Sequence, residues 1–231
     1  MNEAIFKNFL IEKCGYRKLH DPSHDLLHVD RVVRLADKLC QIEMANREIV
    51  LPAAYLHDCV LVEKTHPDRK IASTLSAKKA SQFLSEIGYK ETLIEQISHA
   101  ILAHSYSAQI IPETLEAKIV QDADRLDALG IVGLLRMFTV GARGERLFYH
   151  PEDPFYNGER EDHSQAVNLE KRQLDDSLYT LDHFYVKLSK LPEQMNTQSA
   201  SDEAHRRLKS MQSILSDFEG EIFMSNLFSI K

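Results

Sequence analysis

Apolar residues recur every three or four positions along most of the chain, which is the spacing of helices that bury one face. The clearest stripe begins at Leu26 and consists of Leu26, Leu27, Val29, Val32, Val33, Leu35, Ala36, Leu39 and Cys40. Asp21, Pro22 and Ser23 precede it, and Ser23 is a residue type that caps helices. The pattern therefore predicts an amphipathic helix that starts near this segment.

The same periodicity predicts helices over most of the remaining chain. They extend from Glu48 to about Val60, Ser73 to Ile87, Lys90 to His104, Leu115 into the aspartates at 122–127, Leu134 to Val140, about Gln165 to Leu191, and about Asp202 to Leu227. Strong alternation, the pattern of half-buried strands, is not evident. The sequence therefore predicts an all-α fold.

Glycines and prolines mark two interruptions in the helical pattern. Gly130 and Gly133 favour either a helix break or close packing after the aspartate run. Residues 143–160 contain Pro151, Pro154 and Gly158 and are expected to form a long loop. This loop fits a lid over a site and an ordinary surface connection equally well.

Composition excludes several classes of protein. The 231 residues suit one domain with a large core, or one domain with a small appendage. A formal net charge of -7 gives no basic footprint for nucleic acid or an anionic membrane. The N-terminal residues are too polar for a signal peptide, and no apolar run approaches the roughly 20 residues that span a bilayer.

The cysteines indicate the compartment. Cys14, Cys40 and Cys59 are odd in number and lack the CxxC spacing of thiolate metal sites, which argues against a disulfide framework. A reduced, cytoplasmic location is therefore expected, with Cys59 as a buried, inert thiol.

Candidate chemistry centres on the adjacent pair His57-Asp58, at the end of a strongly apolar helical segment. Burying ionisable groups costs several kcal/mol unless they are paired or bind a metal. His28 and the aspartates near 124 are the other imidazole and carboxylate sources beside apolar helices. Such a nitrogen and oxygen donor set suits Mn, Fe, Co, Ni, Zn or Mg.

Each of these residues also has an ordinary structural interpretation. His28 alone fits a satisfied core or surface histidine, and His57 fits an imidazole beside the last carbonyls of a helix. Asp122, Asp124 and Asp127 together fit a solvated acidic face partly paired by Arg125. Taken one at a time, these residues leave both the metal site and the ordinary interpretations open.

In their order along the chain, His28, His57-Asp58 and Asp124 resemble the H…HD…D pattern of the HD-domain phosphohydrolase superfamily. The local segments match as well, namely DPSHDLLHVDRV at 21–32, DADRLDALG at 122–130, AILAHSYS, HPDRKIASTLSA and LDHFYVKLSKL. The likeness covers nearly the whole chain and is greatest to a bacterial subgroup of small stand-alone HD proteins.

The resemblance implies an all-α helical bundle with additional C-terminal helices, forming a single domain over 1–231. Its motif-bearing core would span about 20–140 and its helical extension about 160–228. One divalent metal ion would be held by His28, His57, Asp58 and Asp124. Asp124 is preferred over Asp122 because the family ligand directly precedes a basic residue, which is Arg125 in this chain.

The expected catalytic residues are Asp58, His104 and Glu63. Asp58 would orient the attacking water, and His104 or Glu63 would supply the proton that the leaving group needs. A structural role for His104 remains the alternative. Some relatives hold a second metal with an adjacent His-His pair, but this chain has His104-Ser105 there, which favours one metal.

The expected substrate contacts are His24, Lys64, Arg69, Lys70 and Asp127. The first four are candidates for phosphate contacts, with a surface role as the alternative for each. Asp127 would orient a ligand or bind a ribose hydroxyl, unless it pairs with Arg125 or Arg136 instead.

These features predict a metal-dependent phosphohydrolase that acts on a small phosphorylated substrate, expected to be a nucleotide, and a nucleoside triphosphate pyrophosphohydrolase in particular. The chain lacks a P-loop, a GxGxxG segment and a GxSxG elbow, so metal-activated water is the expected nucleophile. The alternatives are a cyclic-nucleotide or other phosphodiesterase, a non-catalytic helical signalling module, and a metal-dependent oxygenase. The last two helical segments fit either packing on the core or a homodimer contact.

Overall fold

The fold is all-α, as predicted. In a computed structural model, the described residues are 2–16, 25–62, 71–105, 108–156 and 172–223. Within them the α-helices are α1 (Glu3–Lys13), α2 (Leu26–Ile42), α3 (Arg47–Leu56), α4 (Ala72–Glu86), α5 (Glu91–His104), α6 (Leu115–Asp127), α7 (Gly130–Arg143), α8 (Asp182–Val186) and α9 (Gln198–Ile222). No helix among these residues is both long and apolar enough to span a bilayer.

The chain forms two compact units. The first comprises Met1–Asp127 and Met195–Ser201, and the second comprises Ala128–Gln194 and Asp202–Lys231. In the first unit, α3 packs against α1, α2, α4, α5 and α6, and α5 packs against α4 and α6. The expectation of a single domain over 1–231 stays a prediction.

Helix α3 is the centre of the first unit because nearly all of its surface is apolar. Every residue from Ile49 to Leu56 is buried. The Asn46 side chain caps the helix by accepting a hydrogen bond from the Glu48 amide at 2.9 Å. The helix ends at Leu56 and His57 is its C-cap, so the predicted position of His57-Asp58 at the end of a core helix is confirmed.

Helix α2 buries the predicted apolar stripe but begins with a different cap. The Asp25 side chain accepts a hydrogen bond from the His28 amide at 2.9 Å, and the helix starts at Leu26. Ser23, the predicted cap, lies outside the described residues. The Asp25 cap fixes the first turn of α2, which carries His28.

The two glycines after α6 have both of their predicted roles. Gly130 begins α7 with a φ of +77°, a conformation that favours glycine and breaks the helical path after Asp127. A Cβ on Gly133 would lie 2.1 Å from the Ala128 carbonyl oxygen, so the close approach requires glycine.

The helix predicted from about Gln165 to Leu191 is wrong for residues 172–181 and correct for the short segment Asp182–Val186. Residues 172–181 are not helical, and only Asp182–Val186 forms α8, followed by 3₁₀ turns at Leu188–Lys190 and Pro192–Gln194. Arg172 donates to both oxygens of buried Asp182 at 2.6 Å each, and the Asp175 amide donates to Asp182 at 2.7 Å. These tertiary bonds stabilise an irregular path that the apolar period does not reveal.

Other boundaries differ in smaller ways. Helix α9 starts at Gln198, four residues before the predicted position, and residues beyond 223 lie outside the described part. Helix α1, which buries Phe6 and Leu10, was not assigned from the sequence. Residues 144–156 are non-helical, as predicted for the loop, and the lid role of that loop stays a prediction.

Candidate metal centre

Four helices of the first unit bring the candidate ligands together. His28 lies in the first turn of α2, His57 and Asp58 follow α3, His104 ends α5, and Asp124 lies on α6. Because α3 packs against α2, α5 and α6, residues separated by up to 96 positions in the sequence lie around one point.

The Nε2 atom of His57 is central to this cluster. It lies 3.4 Å from Nε2 of His28, 3.6 Å from Oδ2 of Asp58 and 3.9 Å from Oδ1 of Asp124. The same Asp124 oxygen lies 3.6 Å from Nε2 of His28. The four residues predicted as ligands are therefore close neighbours in the structure.

Hydrogen bonds on the far side of each imidazole orient all three rings. Nδ1 of His28 lies 2.7 Å from an Asp127 carboxylate oxygen, Nδ1 of His57 lies 2.8 Å from the Ala54 carbonyl, and Nδ1 of His104 lies 2.6 Å from the Ile101 carbonyl. These oxygens are acceptors, so each Nδ1 donates and each neutral ring keeps its lone pair on Nε2. The three Nε2 atoms therefore face the cluster as acceptors.

This arrangement fits a divalent cation. Two neutral Nε2 lone pairs only 3.4 Å apart repel each other unless a proton or a cation lies between them. Ligand atoms about 2.1 Å from a metal are separated by about 3.0 Å at a right angle and about 3.4 Å at the tetrahedral angle. The distances of 3.4–3.9 Å are close to that range, and one ligand atom from each of His28, His57 and Asp58 lies within 4.8 Å of the others.

Burial differs between the imidazoles and the carboxylates. His28 and His57 are at most 1% exposed, whereas the side chains of Asp58 and Asp124 are 19% and 29% exposed. Solvent therefore reaches the cluster from the carboxylate side.

The local electrostatics favour metal-binding protonation states. Burial lowers the pKa of His57, which keeps its imidazole neutral. Desolvation raises the pKa of Asp124, but the imidazoles of His57, His28 and His104 outweigh it and hold that pKa below its usual value. A neutral imidazole and an ionised carboxylate are the forms that coordinate divalent ions.

His104 lies beside Asp58 at the edge of the cluster. Its Nε2 lies 3.5 Å from Oδ1 of Asp58, whereas the other oxygen of this carboxylate, Oδ2, lies 3.6 Å from Nε2 of His57. Burial lowers the pKa of His104, but Asp58 and Asp124 outweigh burial and the pKa is raised overall. This histidine is therefore protonated more readily than His57, which suits a group that donates a proton.

Asp127 orients His28. Its carboxylate accepts from Nδ1 of His28 at 2.7 Å and from Nε and Nη2 of Arg31 at 2.7 and 3.1 Å, and it is 1% exposed. Arg31 is an ion-pair partner of Asp127 that the sequence reasoning did not name. A carboxylate buried this deeply fits the predicted role of orienting a metal-binding side chain, here His28. It does not fit the other predicted role, contact with a ribose hydroxyl.

Arg31 was missed by the sequence reasoning. The available signal was its position three residues after His28, which places both residues on one face of α2. An arginine beside a predicted ligand could have been read as the partner of a second carboxylate in the site.

Asp122 lies outside the cluster and has a structural role. Its oxygens accept from the amide and side chain of Asn196 and from the amide and hydroxyl of Thr197, at 2.8–2.9 Å. It is fully buried, and burial outweighs these bonds and raises its pKa. Between the two aspartates, the structure directs Asp124 toward the histidines.

The remaining predicted site residues cannot be placed. His24, Glu63, Lys64, Arg69 and Lys70 lie outside the described residues. Their predicted roles in phosphate contact and proton donation stay predictions.

Comparisons with known proteins give one consistent family. The family model described as "HD domain" matches residues 26–129, the range that contains the whole cluster. The Bacillus subtilis (strain 168) protein YpgQ is 31% identical over 204 residues, which are 86% of this chain and 84% of YpgQ.

Solved structures extend the likeness to nearly the full chain. The crystal structure of Bacillus subtilis YpgQ in complex with ADP matches with a TM-score of 0.69 and 28% identity, over 96% of this chain and 98% of that one. An HD-superfamily hydrolase from Bacillus thuringiensis matches with a TM-score of 0.67 and 32% identity, over 95% and 96%. Both structures share the all-α architecture described above.

Proposed function

The chain belongs to the HD-domain family, and from that premise we propose that it is a metal-dependent phosphohydrolase acting on nucleotides or related phosphoesters. Its fold is that of HD-superfamily hydrolases. The reaction proposed is attack of water on a phosphoester or phosphoanhydride, without a covalent enzyme intermediate.

The observation that carries this proposal is the convergence of the His28 and His57 Nε2 atoms on the carboxylates of Asp58 and Asp124. Each ring is held by its Nδ1 bond, so little reorganisation is needed to accept an ion. We assign these four residues as the ligands of one divalent metal, which could be Mn, Mg, Ni, Co, Fe or Zn. When bound, such an ion lowers the pKa of a coordinated water and neutralises charge on a phosphoryl group.

The protein's own groups would handle the protons. Asp58 can use Oδ2 toward the cluster while Oδ1 faces His104, so one carboxylate can both bind the ion and orient the attacking water. His104, once protonated, can deliver its Nε2 proton to the leaving oxygen. Glu63 is the second proposed donor, from the sequence resemblance alone.

A nucleotide is the proposed substrate class because the structural relative YpgQ was crystallised in complex with ADP. The chain carries a net charge of -7, so an anionic substrate depends on local positive charge, which a divalent ion would supply. Nucleoside triphosphates are the first substrates to test, with pyrophosphate release as the proposed reaction.

The experiment compares metal-free protein with protein supplied with each of the six metals in turn. Nucleoside triphosphates, diphosphates and cyclic nucleotides are assayed for released phosphate, pyrophosphate and nucleoside monophosphate. We expect turnover with at least one metal and a loss of at least about 100-fold in Asp58→Asn. The control Asp37→Asn removes a partly exposed carboxylate that pairs with Arg47, and this variant should keep full activity.

One outcome would contradict the proposed hydrolysis, and a second would replace the nucleoside triphosphate as its substrate. Metal binding without turnover of any nucleotide would favour a non-catalytic helical module. Turnover of cyclic nucleotides alone would favour a phosphodiesterase.

A further inference from the structure

The turn that carries Asp58 is held by residues that contribute no ligand atom to the cluster. This ligand turn, residues 57–60, follows α3 directly and is not helical. Asp58 is its central side chain, because its two oxygens lie 3.6 Å from Nε2 of His57 and 3.5 Å from Nε2 of His104. A movement of the turn would change both distances, so the bonds that fix its backbone bear on metal binding.

Both polar groups of the peptide between Asp58 and Cys59 are hydrogen-bonded. The Tyr16 hydroxyl donates to the Asp58 carbonyl at 3.1 Å. The Cys59 amide donates to the Leu56 carbonyl at 3.1 Å. Tyr16 is 6% exposed, and burial together with the Asp58 charge raises its pKa, so the hydroxyl keeps the proton that it donates. Because a peptide is planar, these two bonds fix its orientation and with it the direction in which the Asp58 side chain leaves the backbone.

Ser76 of α4 holds the next peptide of the ligand turn. Its hydroxyl accepts from the Val60 amide at 3.1 Å, and its carbonyl accepts from the Cys59 thiol at 3.3 Å. Ser76 is 1% exposed, so water does not compete for the Val60 amide. The ligand turn is therefore bonded both to the segment after α1 and to α4, through atoms that take no part in the cluster.

Helix α1 supports Tyr16 because it is itself fixed to α3 and α4. Phe6 of α1 stacks on Tyr55 of α3, with ring centroids 5.5 Å apart. At the end of α1, the Lys13 carbonyl accepts from Nζ of Lys79 on α4 at 2.8 Å. Tyr16 follows three residues later, so its hydroxyl reaches the ligand turn from an anchored helix end.

We infer that Tyr16 and Ser76 are positioning residues for the metal site, which hold the Asp58 carboxylate, through the backbone of residues 58–60, where it can bind an ion together with the other three ligands. This inference rests on the proposed metal-dependent function. A preorganised site holds its groups within about 0.5 Å of the productive geometry, and outer contacts that orient a ligand do this. Removing either hydroxyl leaves all four ligands in the chain but releases one bond of the turn.

The test titrates Mn into the metal-free full-length protein by calorimetry and compares two tyrosine variants. Tyr16→Phe removes only the hydroxyl that bonds to the Asp58 carbonyl. Tyr55→Phe is the matched control, because the hydroxyl that it removes also joins α1 to α3, but through a 3.0 Å bond to the Glu3 carboxylate. We expect Mn binding to be about tenfold weaker in Tyr16→Phe and within about twofold of wild type in Tyr55→Phe. Both variants should lower the Tm by a similar few degrees, since each loses one hydrogen bond.

Two serine variants on α4 give an independent comparison. Ser76→Ala removes the acceptor of the Val60 amide and should weaken Mn binding about tenfold. Ser81→Ala removes a hydroxyl that donates to the Ala77 carbonyl of the same helix at 2.9 Å, and this control should keep wild-type Mn affinity. Circular dichroism and thermal unfolding establish that each variant is folded at the temperature of the titration.

The inference is overturned for Tyr16 or for Ser76 if the folded variant binds Mn as tightly as the wild type. An equal loss of affinity in the matched control would also overturn it, because the loss would then follow general destabilisation. If the wild type binds no Mn, the proposed metal site fails together with this inference. If the wild type binds Mn but hydrolyses no nucleotide, only the proposed hydrolysis fails, because the affinities are compared without substrate.

Discussion

Replacing Asp127 by asparagine tests whether a buried carboxylate holds His28 in its metal-binding orientation. The wild-type carboxylate accepts from Nδ1 of His28 at 2.7 Å and from two nitrogens of Arg31 at 2.7 and 3.1 Å. An asparagine keeps the size of the side chain, but it has one acceptor oxygen and carries no charge. At least one donor therefore loses its acceptor, and the Arg31 charge loses its counter-ion.

The expected cost follows from these contacts. A hydrogen bond to a charged group contributes about 1.5–3 kcal/mol, and Arg31 is 29% exposed, which lets solvent replace part of the loss. We expect the free energy of unfolding of metal-free protein to fall by about 2 kcal/mol, which is a Tm decrease of about 4–8 °C for a chain of this size. Loss of the bond that orients a ligating imidazole should weaken Mn binding by about 10–100-fold.

The control is an ion pair of the same geometry on the surface. Arg47 contacts Asp37 through Nε at 2.6 Å and Nη2 at 3.1 Å, but the two side chains are 56% and 27% exposed. Asp37→Asn should cost less than about 0.5 kcal/mol and leave Mn affinity unchanged, because exposed ion pairs contribute little. Thermal unfolding and calorimetric Mn titration of both variants supply the data. If Asp127→Asn has the Tm and the Mn affinity of the wild type, Asp127 does not orient His28.

Three further predictions concern other parts of the molecule. Protonation of His57 competes with the metal, so Mn affinity should decrease as the pH falls. Because burial lowers the pKa of His57, this decrease should begin below the ordinary histidine pKa of about 6.5. Calorimetry that finds tighter Mn binding at pH 5 than at pH 7 would contradict this prediction. His104→Gln should lower kcat about 100-fold or more with Mn affinity within about twofold of wild type, and an unchanged kcat would exclude this proton donor. Gly133→Ala should lower the free energy of unfolding by about 3 kcal/mol, because its Cβ would lie 2.1 Å from the Ala128 carbonyl oxygen. In the control Gly144→Ala the new Cβ would lie 3.3 Å from the flexible Arg146 side chain and 3.5 and 3.6 Å from the Val140 and Gly141 carbonyl oxygens, so denaturant melts should show a change within about 1 kcal/mol.

The sequence predicted the members of the cluster well because each lies on or directly after a helix with a clear apolar period. The apolar segment 49–56 required a buried helix, so the ionisable pair that follows it had to meet other polar groups. The choice between Asp122 and Asp124 was harder. Residues two positions apart project about 200° apart around a helix, so only one can face the histidines, and tertiary packing decides which. The family resemblance favoured Asp124, and the bonds from Asn196 and Thr197 explain the place of Asp122.

The main error came from a segment in which tertiary ion pairing determines the backbone. The apolar spacing before Leu191 is compatible with a helix, but the ion pair between Arg172 and the buried Asp182 holds residues 172–181 in an irregular path. A periodicity argument contains no information on which arginine meets which aspartate across a turn. Arg31 was missed for the same reason, since its partner Asp127 lies 96 positions away.

The most direct test of the metal site is an anomalous diffraction map from a crystal of the protein soaked with Mn. The account predicts one strong peak about 2.0–2.3 Å from Nε2 of His28, Nε2 of His57 and a carboxylate oxygen each of Asp58 and Asp124. A peak at Asp122, or no peak within reach of His57 at a saturating Mn concentration, would contradict it.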